Sequence, residues 1–164
     1  MGSFSTVKLI VFDFDGVMTD NRVLVDENGK EAVWVNRSDG LGIQMIKQLG
    51  IQMIILSTEK NPVVSMRAKK LNLDVLQSIH DKAAALLNFC KQENLELKNV
   101  MYVGNEINDL PAMKMAGIKV VPYDAYSEVK EIADIVLKTK GGNGVIRELA
   151  ALLKKGLEND SDKM

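Results

Sequence analysis

Apolar positions in this chain fall into short runs that alternate between two spacings. Residues 7–12, with an apolar run rich in branched side chains at 9–12, read as a strand buried on both faces of a parallel sheet. Shorter runs at 22–25 and 31–35 flank Asp26, Glu27, Asn28, Gly29 and Lys30, and Asn-Gly between two β-rich runs predicts a hairpin. Leu41, Met45, Ile46 and Leu49 then recur at helical spacing, with Ser38 or Asp39 as the expected cap and Gly50 as the stop. Residues 51–56 repeat the buried-strand pattern and lead into a helix over 62–71 with Pro62 in its first turn. Beyond it the pattern predicts a short strand at 75–77, a helix over 82–93 and a strand at 100–103. A helix over 110–115, strands near 120–122 and 135–137 around a helix over 128–133, and a last helix to about 157 complete the reading. Alternating strands and helices predict an α/β class fold, a doubly wound Rossmann-like parallel sheet whose ligands bind at the carboxyl ends of its strands.

Composition narrows the picture. A chain of 164 residues with 46% hydrophobic content suits one domain, assigned to residues 7–157 with flexible ends at 1–6 and 158–164. Lys plus Arg total 21 against 22 Asp plus Glu, with no long basic block, so nucleic acid is not an expected partner. No run is long enough to span a bilayer, and Cys90 is the only cysteine, so no internal disulfide forms; both fit a cytoplasmic protein. Cys90, Trp34 and Phe89 read as packing residues, His80 as a surface residue, and the Gly141, Gly142, Asn143, Gly144 run as a flexible turn, since no Lys-Ser/Thr follows it.

The chemistry lies where three predicted strands end. Asp13 and Asp15 leave the first strand two residues apart and so face one small site. Two acids at a buried strand end need a cation, donors, or both. Ser57 and Thr58 follow the second buried strand; Asn105, Glu106, Asn108 and Asp109 follow the strand at 100–103, and Lys82 opens a helix. Oxygen donors without histidine or cysteine favour a hard cation such as Mg2+ over zinc. A hydroxyl and a lysine suit phosphoryl oxygens while an aspartate attacks phosphorus, so phosphoryl transfer fits every part.

In their order along the chain, Asp13-x-Asp15-Gly16-Val17-x-Thr19-Asp20, then Ser57, then Lys82, then Gly104-Asn105 with Asp109, the motifs resemble the haloacid dehalogenase superfamily. Asp39-Gly40-x-Gly42 and Gly141-Gly142-x-Gly144-x-x-Arg147-Glu148 are similar to its small phosphatases of eight- and nine-carbon keto sugar acid phosphates. The resemblance implies a sheet with a small β-hairpin flap and no cap domain. It implies Asp13 as nucleophile, Asp15 as acid and then base, and Ser57 and Lys82 as ligands of the phosphoryl group. Magnesium would be held by the Asp13 side chain, the Asp15 carbonyl and Asn105 or Glu106, with Asp109 in support. Thr58, Glu59, Arg67, Lys70 and Glu106 would border the substrate, a small-molecule sugar acid phosphate. Many relatives carry aspartate at the position of Asn105. Octulosonate 8-phosphate phosphatases usually carry arginine at the position of Glu59, so a nonulosonate 9-phosphate of sialic acid biosynthesis is preferred here over the eight-carbon substrate of lipopolysaccharide biosynthesis. Relatives seal the site by forming tetramers, and a homotetramer is expected.

Two rivals compete with this reading. A receiver domain of two-component signalling shares the fold and an aspartate acceptor, but its acceptor lies on a later strand than its acidic pair. A catalytically weak oligomerisation or binding domain, of the kind fused to sugar-acid nucleotidyltransferases, tends to lose the nucleophile, which Asp13 retains.

Overall fold

The computed structural model describes residues 3–161. Its centre is a six-stranded, all-parallel sheet of β1 (Leu9–Phe12), β4 (Gln52–Leu56), β5 (Asp74–Leu76), β6 (Val100–Val103), β7 (Ile118–Val121) and β8 (Ile135–Val136), ordered β5-β4-β1-β6-β7-β8. β1 is central, paired in register with both β4 and β6 (Val11 opposite Ile54 and Tyr102), so its whole length is buried as the apolar run requires. Alternation along β1 divides the core: Ile10 and Phe12 pack on one face with Ile43, Ile46, Val64 and Leu149, whereas Leu9 and Val11 pack on the other with Leu86, Cys90 and Met113. Helices α1 (Ser38–Gln48), α2 (Val63–Leu71) and α6 (Val145–Ser161) thus cover the first face, and α3 (Lys82–Gln92), α4 (Leu110–Met115) and α5 (Ser127–Lys130) the second. The strand order reverses beside β1, which puts the loops after β1, β4 and β6 side by side at one edge.

The hairpin of β2 (Thr19–Val25) and β3 (Glu31–Val35) forms a separate antiparallel pair, closed by Gly29 at φ +77° and by Asp26, whose Oδ1 accepts from the N–H groups of Asn28 and Lys30. It stands away from the main sheet. Trp34, expected to pack, is therefore 73% exposed, and Leu24 is 71% exposed.

The expected caps of α1 are corrected. Ser38 lies inside the helix, and Asp39 turns away from its own backbone: its Oδ1 accepts from the N–H groups of Ile146 (3.0 Å) and Arg147 (3.3 Å), the first turn of α6. A carboxylate thus satisfies orphan donors of a helix 107 residues away. Pro62 precedes α2 as its N-cap, and α5 stops at Lys130, short of the expected 133, with Asp134 beyond it held to β7 by accepting from Lys119 N–H. The Gly141–Gly144 segment is packed: Gly142 N–H donates to the Val17 carbonyl, and a Cβ on Gly142 would strike the Asp20 backbone. Residues 4–6 form a 3-10 turn whose Phe4 ring lies on Gly156, and α6 runs to Ser161, beyond the boundary expected near 157. Expectations for residues 1–2 and 162–164 lie outside the described residues.

Candidate active site

Three loops deliver the site. After β1, Asp13 is 6% exposed at the strand end, and its N–H continues the sheet by donating to the Val103 carbonyl. The chain then turns tightly: the N–H groups of Val17, Met18 and Thr19 all reach the Phe14 carbonyl, and Thr19 Oγ1 accepts from Gly16 N–H and donates to Asp15 Oδ1 at 3.1 Å. Gly16 adopts φ +79°, and a side chain there would run into Asn105, so the loops after β1 and β6 meet at van der Waals limits. After β4, Ser57 is buried and its Oγ accepts from Glu59 N–H at 3.1 Å. After β6, Glu106 caps a short 3-10 turn (Ile107–Asp109) by accepting Ile107 N–H.

At the heart of the site one ammonium serves two carboxylates. Lys82 Nζ lies 2.8 Å from Asp13 Oδ1 and 2.7 Å from Asp109 Oδ1, and all three groups are buried. Asp109 is fully engaged, because Oδ1 also accepts from Tyr102 OH at 2.9 Å and Oδ2 accepts the N–H groups of Asn105 and Glu106. Asp109 therefore holds Lys82 and the β6 loop in place and has no free face toward a metal. Burial, and then the charge of Asp109, push the Asp13 carboxyl up to about 8, against the pull of Lys82 and the Phe14 N–H. Burial works against the Lys82 charge, yet Asp13 and Asp109 hold it above the usual lysine value. Lys82 stays protonated, and its single charge does not serve two ionised acids, so Asp13 favours its protonated form in this cluster. Asp15, half-buried, is raised by burial and by the charge of Glu59.

Ionising Asp13 beside Asp109 asks for a second cation, and the oxygens to hold one are present. The Asn105 side-chain amide faces the Asp15 carbonyl at 2.8 Å and Asp13 Oδ2 at 3.2 Å. With its nitrogen turned inward the amide donates to both; with its oxygen inward, three oxygens converge at spacings close to the ~3.0 Å between adjacent ligands of an octahedral ion with ~2.1 Å bonds. Among the described residues no three His, Cys, Asp or Glu side chains are arranged to hold a metal. The fitting set instead uses one carboxylate, one backbone carbonyl and one amide, a hard-oxygen set suited to magnesium.

A cavity of about 110 Å³ opens over this cluster, lined by Asp13, Asp15, Asn21, Ser57, Thr58, Asn105, Glu106 and Asn108, a size that admits a phosphoryl group. Beside it lies a cleft of about 300 Å³ walled by the hairpin and by Glu59, whose Oε1 accepts from Lys60 and Asn61 N–H. Arg67 and Lys70 are elsewhere. They line a separate basic cleft of about 440 Å³ with Arg37 and Lys47, and Arg67 Nη2 donates to the Asn36 carbonyl at 2.9 Å. Within one chain, then, Asp13, Asp15, Ser57, Thr58, Lys82, Asn105, Glu106 and Asp109 come together, Glu59 stands at the rim, and Arg67 and Lys70 do not join them.

Sequence reasoning passed over Thr19, Asn21 and Tyr102. Tyr102 reads as one more residue of an apolar strand, although a hydroxyl at the end of a buried run is itself a signal that a polar partner lies beneath the site.

Comparison with known proteins places the chain in a family. The model of the haloacid dehalogenase-like hydrolases matches residues 44–149. Over 148 residues the chain is 32% identical to the 3-deoxy-D-manno-octulosonate 8-phosphate phosphatase of Haemophilus influenzae, covering 90% of this chain and 82% of that one. A hydrolase of this type from Streptomyces avermitilis superposes with a TM-score of 0.88 at 43% identity, covering 92% and 87% of the two chains. The octulosonate phosphatase of Moraxella catarrhalis, solved with magnesium, phosphate and KDO, superposes with a TM-score of 0.90 at 30% identity, covering 95% and 90%.

Proposed function

The chain belongs to the haloacid dehalogenase-like hydrolases and is a sugar-acid phosphate phosphatase among them; from that membership we propose a magnesium-dependent phosphomonoesterase that works through an aspartyl-phosphate. The observation that carries the proposal is the Asp13, Lys82, Asp109 cluster beneath a cavity of phosphoryl size. A bound magnesium ion would neutralise the Asp13 carboxylate and polarise the phosphoryl group. Lys82 and Ser57 hold the equatorial oxygens of that group, as Thr58 and Glu106 close its walls.

The Asp13 carboxylate attacks phosphorus, the bond from phosphorus to the sugar oxygen breaks, and Asp15 gives its proton to the departing alkoxide. Burial and Glu59 raise Asp15 above the usual carboxylate value, which favours its protonated form as the acid. Water then attacks the acyl phosphate, Asp15 takes the water's proton, and inorganic phosphate leaves with Asp13 restored. Asp15 lies between the inner cavity and the outer cleft, so the leaving alcohol departs along the hairpin.

The proposed substrate is a nonulosonate 9-phosphate. Glu31 and Glu59 outweigh Arg22, which is paired with Asp20, and make the outer cleft acidic, which repels a carboxylate brought close and suits a hydroxylated chain. A longer polyol keeps the sugar's acid group beyond that zone. Arg67 and Lys70, in their separate cleft, would meet the acid only from a neighbouring copy in a homotetramer. The apolar hairpin, exposed at Leu24 and Trp34, supports such an assembly. A second reading, 3-deoxy-octulosonate 8-phosphate, is favoured by the likeness to phosphatases of that substrate. The cytoplasm is proposed as the site of action, and among the described residues no helix is long and apolar enough to cross a membrane.

The test is phosphate release with magnesium over nonulosonate 9-phosphates, octulosonate 8-phosphate and hexose phosphates. Turnover of a sugar acid phosphate that Asp13→Asn abolishes supports the proposal. Equal release by wild type and Asp13→Asn refutes it, and comparable rates on hexose phosphates refute the sugar-acid assignment.

A further inference from the structure

Asn21 stands where the loop after β1 enters the hairpin, and its backbone there is unusual. It lies in β2 with φ +67°, a left-handed conformation that asparagine tolerates better than most residues with a side chain. The ladder between β2 and β3 shifts register between Thr19 and Val23, so Asn21 falls within an irregularity of the kind that re-aims a side chain. Its backbone is tied to the reacting groups: Asn21 N–H donates to Thr19 Oγ1 at 3.1 Å, and the same hydroxyl donates to Asp15 Oδ1 at 3.1 Å. Above all, the inner cavity and the outer cleft have only two lining residues in common, Asp15 and Asn21.

On the phosphatase reading given above, we propose that Asn21 is a specificity-determining residue whose amide binds a hydroxyl of the leaving alcohol next to the phosphate-bearing carbon. The position demands it: an ester with phosphorus in the inner cavity and its alcohol in the outer cleft must pass between Asp15 and Asn21. Asp15 takes the bridging oxygen, and the neighbouring hydroxyl falls to Asn21. An amide both donates and accepts, which matches a hydroxyl, and it adds no charge beside an acid that must carry a proton. The side chain has no hydrogen bond of its own among the described contacts, and it is exposed to the cleft.

Asn21→Gly tests this cleanly, since glycine accepts φ +67° without strain and the fold is kept. Steady-state kcat and KM are measured for wild type and variant on p-nitrophenyl phosphate, whose leaving group has no neighbouring hydroxyl, and on the hydroxylated phosphate ester that wild type turns over best. The expected result is aryl phosphate hydrolysis within about twofold of wild type and a loss of about three- to tenfold in kcat/KM on the hydroxylated ester, mostly in KM, the worth of one neutral hydrogen bond. Unchanged kinetics on both substrates overturn the proposal, as does an equal loss on both, which would make Asn21 a support of the Asp15 loop. If wild type ignores every keto sugar acid phosphate, the substrate reading fails, and Asn21 is still judged on the ester that is turned over. Absence of all phosphatase activity overturns both.

Discussion

Asp39→Asn separates the electrostatic cost of Asp39 from its hydrogen bonding. The side chain is 1% exposed, its Oδ1 holds the first turn of α6, and its Oδ2 is buried with no partner among the described residues. Burial raises its pKa from the usual 3.8 to about 6, against the pull of the Arg147 and Ile146 N–H groups and of Arg67. Asparagine keeps the accepting oxygen and removes the charge. Because the folded value lies above the unfolded one, the folded protein holds the extra proton between pH 3.8 and about 6. Stability therefore falls as pH rises through that window and is level above it. At about 1.36 kcal/mol per pH unit the rise amounts to about 3 kcal/mol. Urea unfolding of wild type and variant from pH 4 to 7.5 measures this, and subtracting the two curves cancels the other carboxylates. The variant is expected to gain on wild type by up to about 3 kcal/mol as pH rises. A difference independent of pH would refute the assignment of a buried, titrating charge at Asp39.

Two further outcomes follow from the site and the hairpin. Asn105→Asp adds a charge to the proposed metal set, so magnesium affinity measured by titration calorimetry should rise about tenfold while stability in chelator falls, since one more buried carboxylate then leans on Lys82; unchanged affinity would remove position 105 from the set. Leu24→Asp with Trp34→Asp places charge on the exposed hairpin and should shift the mass seen by light scattering from the proposed tetramer to smaller species without lowering the content of helix; a mass unaffected by the change would overturn the hairpin as the interface.

Much of the fold could be read from the chain because its strands are buried on both faces. A run such as that of β1 admits no other placement, and the loop after it had to carry Asp13 and Asp15 to a sheet edge. Ser57, Lys82 and Asp109 were legible for the same reason: each opens or closes an element whose position the alternation sets. Contacts that join distant elements were not legible. A carboxylate two residues into a helix looks like its cap, and nothing local reveals that Asp39 serves α6 instead. Helical spacing aligned Arg67 with Lys70 but left open which cleft they face, and they face away from Asp13. The hairpin pattern gave β3 with its bounds and β2 from Arg22, three residues after its start at Thr19, yet whether Trp34 is covered depends on what the hairpin lies against, which local sequence does not set.

The glycine contacts between loops divide the molecule's capacity for change. A side chain at Gly16 would strike Asn105, one at Gly104 would meet Asp109 at 2.7 Å, and one at Gly142 would strike Asp20. The chamber around the phosphoryl group is built at the limit of backbone approach, so mutation there ends activity sooner than it alters it. Novelty must enter by the other door. The hairpin touches the chamber only at its base, and its outer residues can vary without moving Asp13 or Lys82. A lineage descending from this chain would therefore acquire new substrates by rewriting the wall that meets the alcohol, while the chemistry that meets phosphorus stays as inherited.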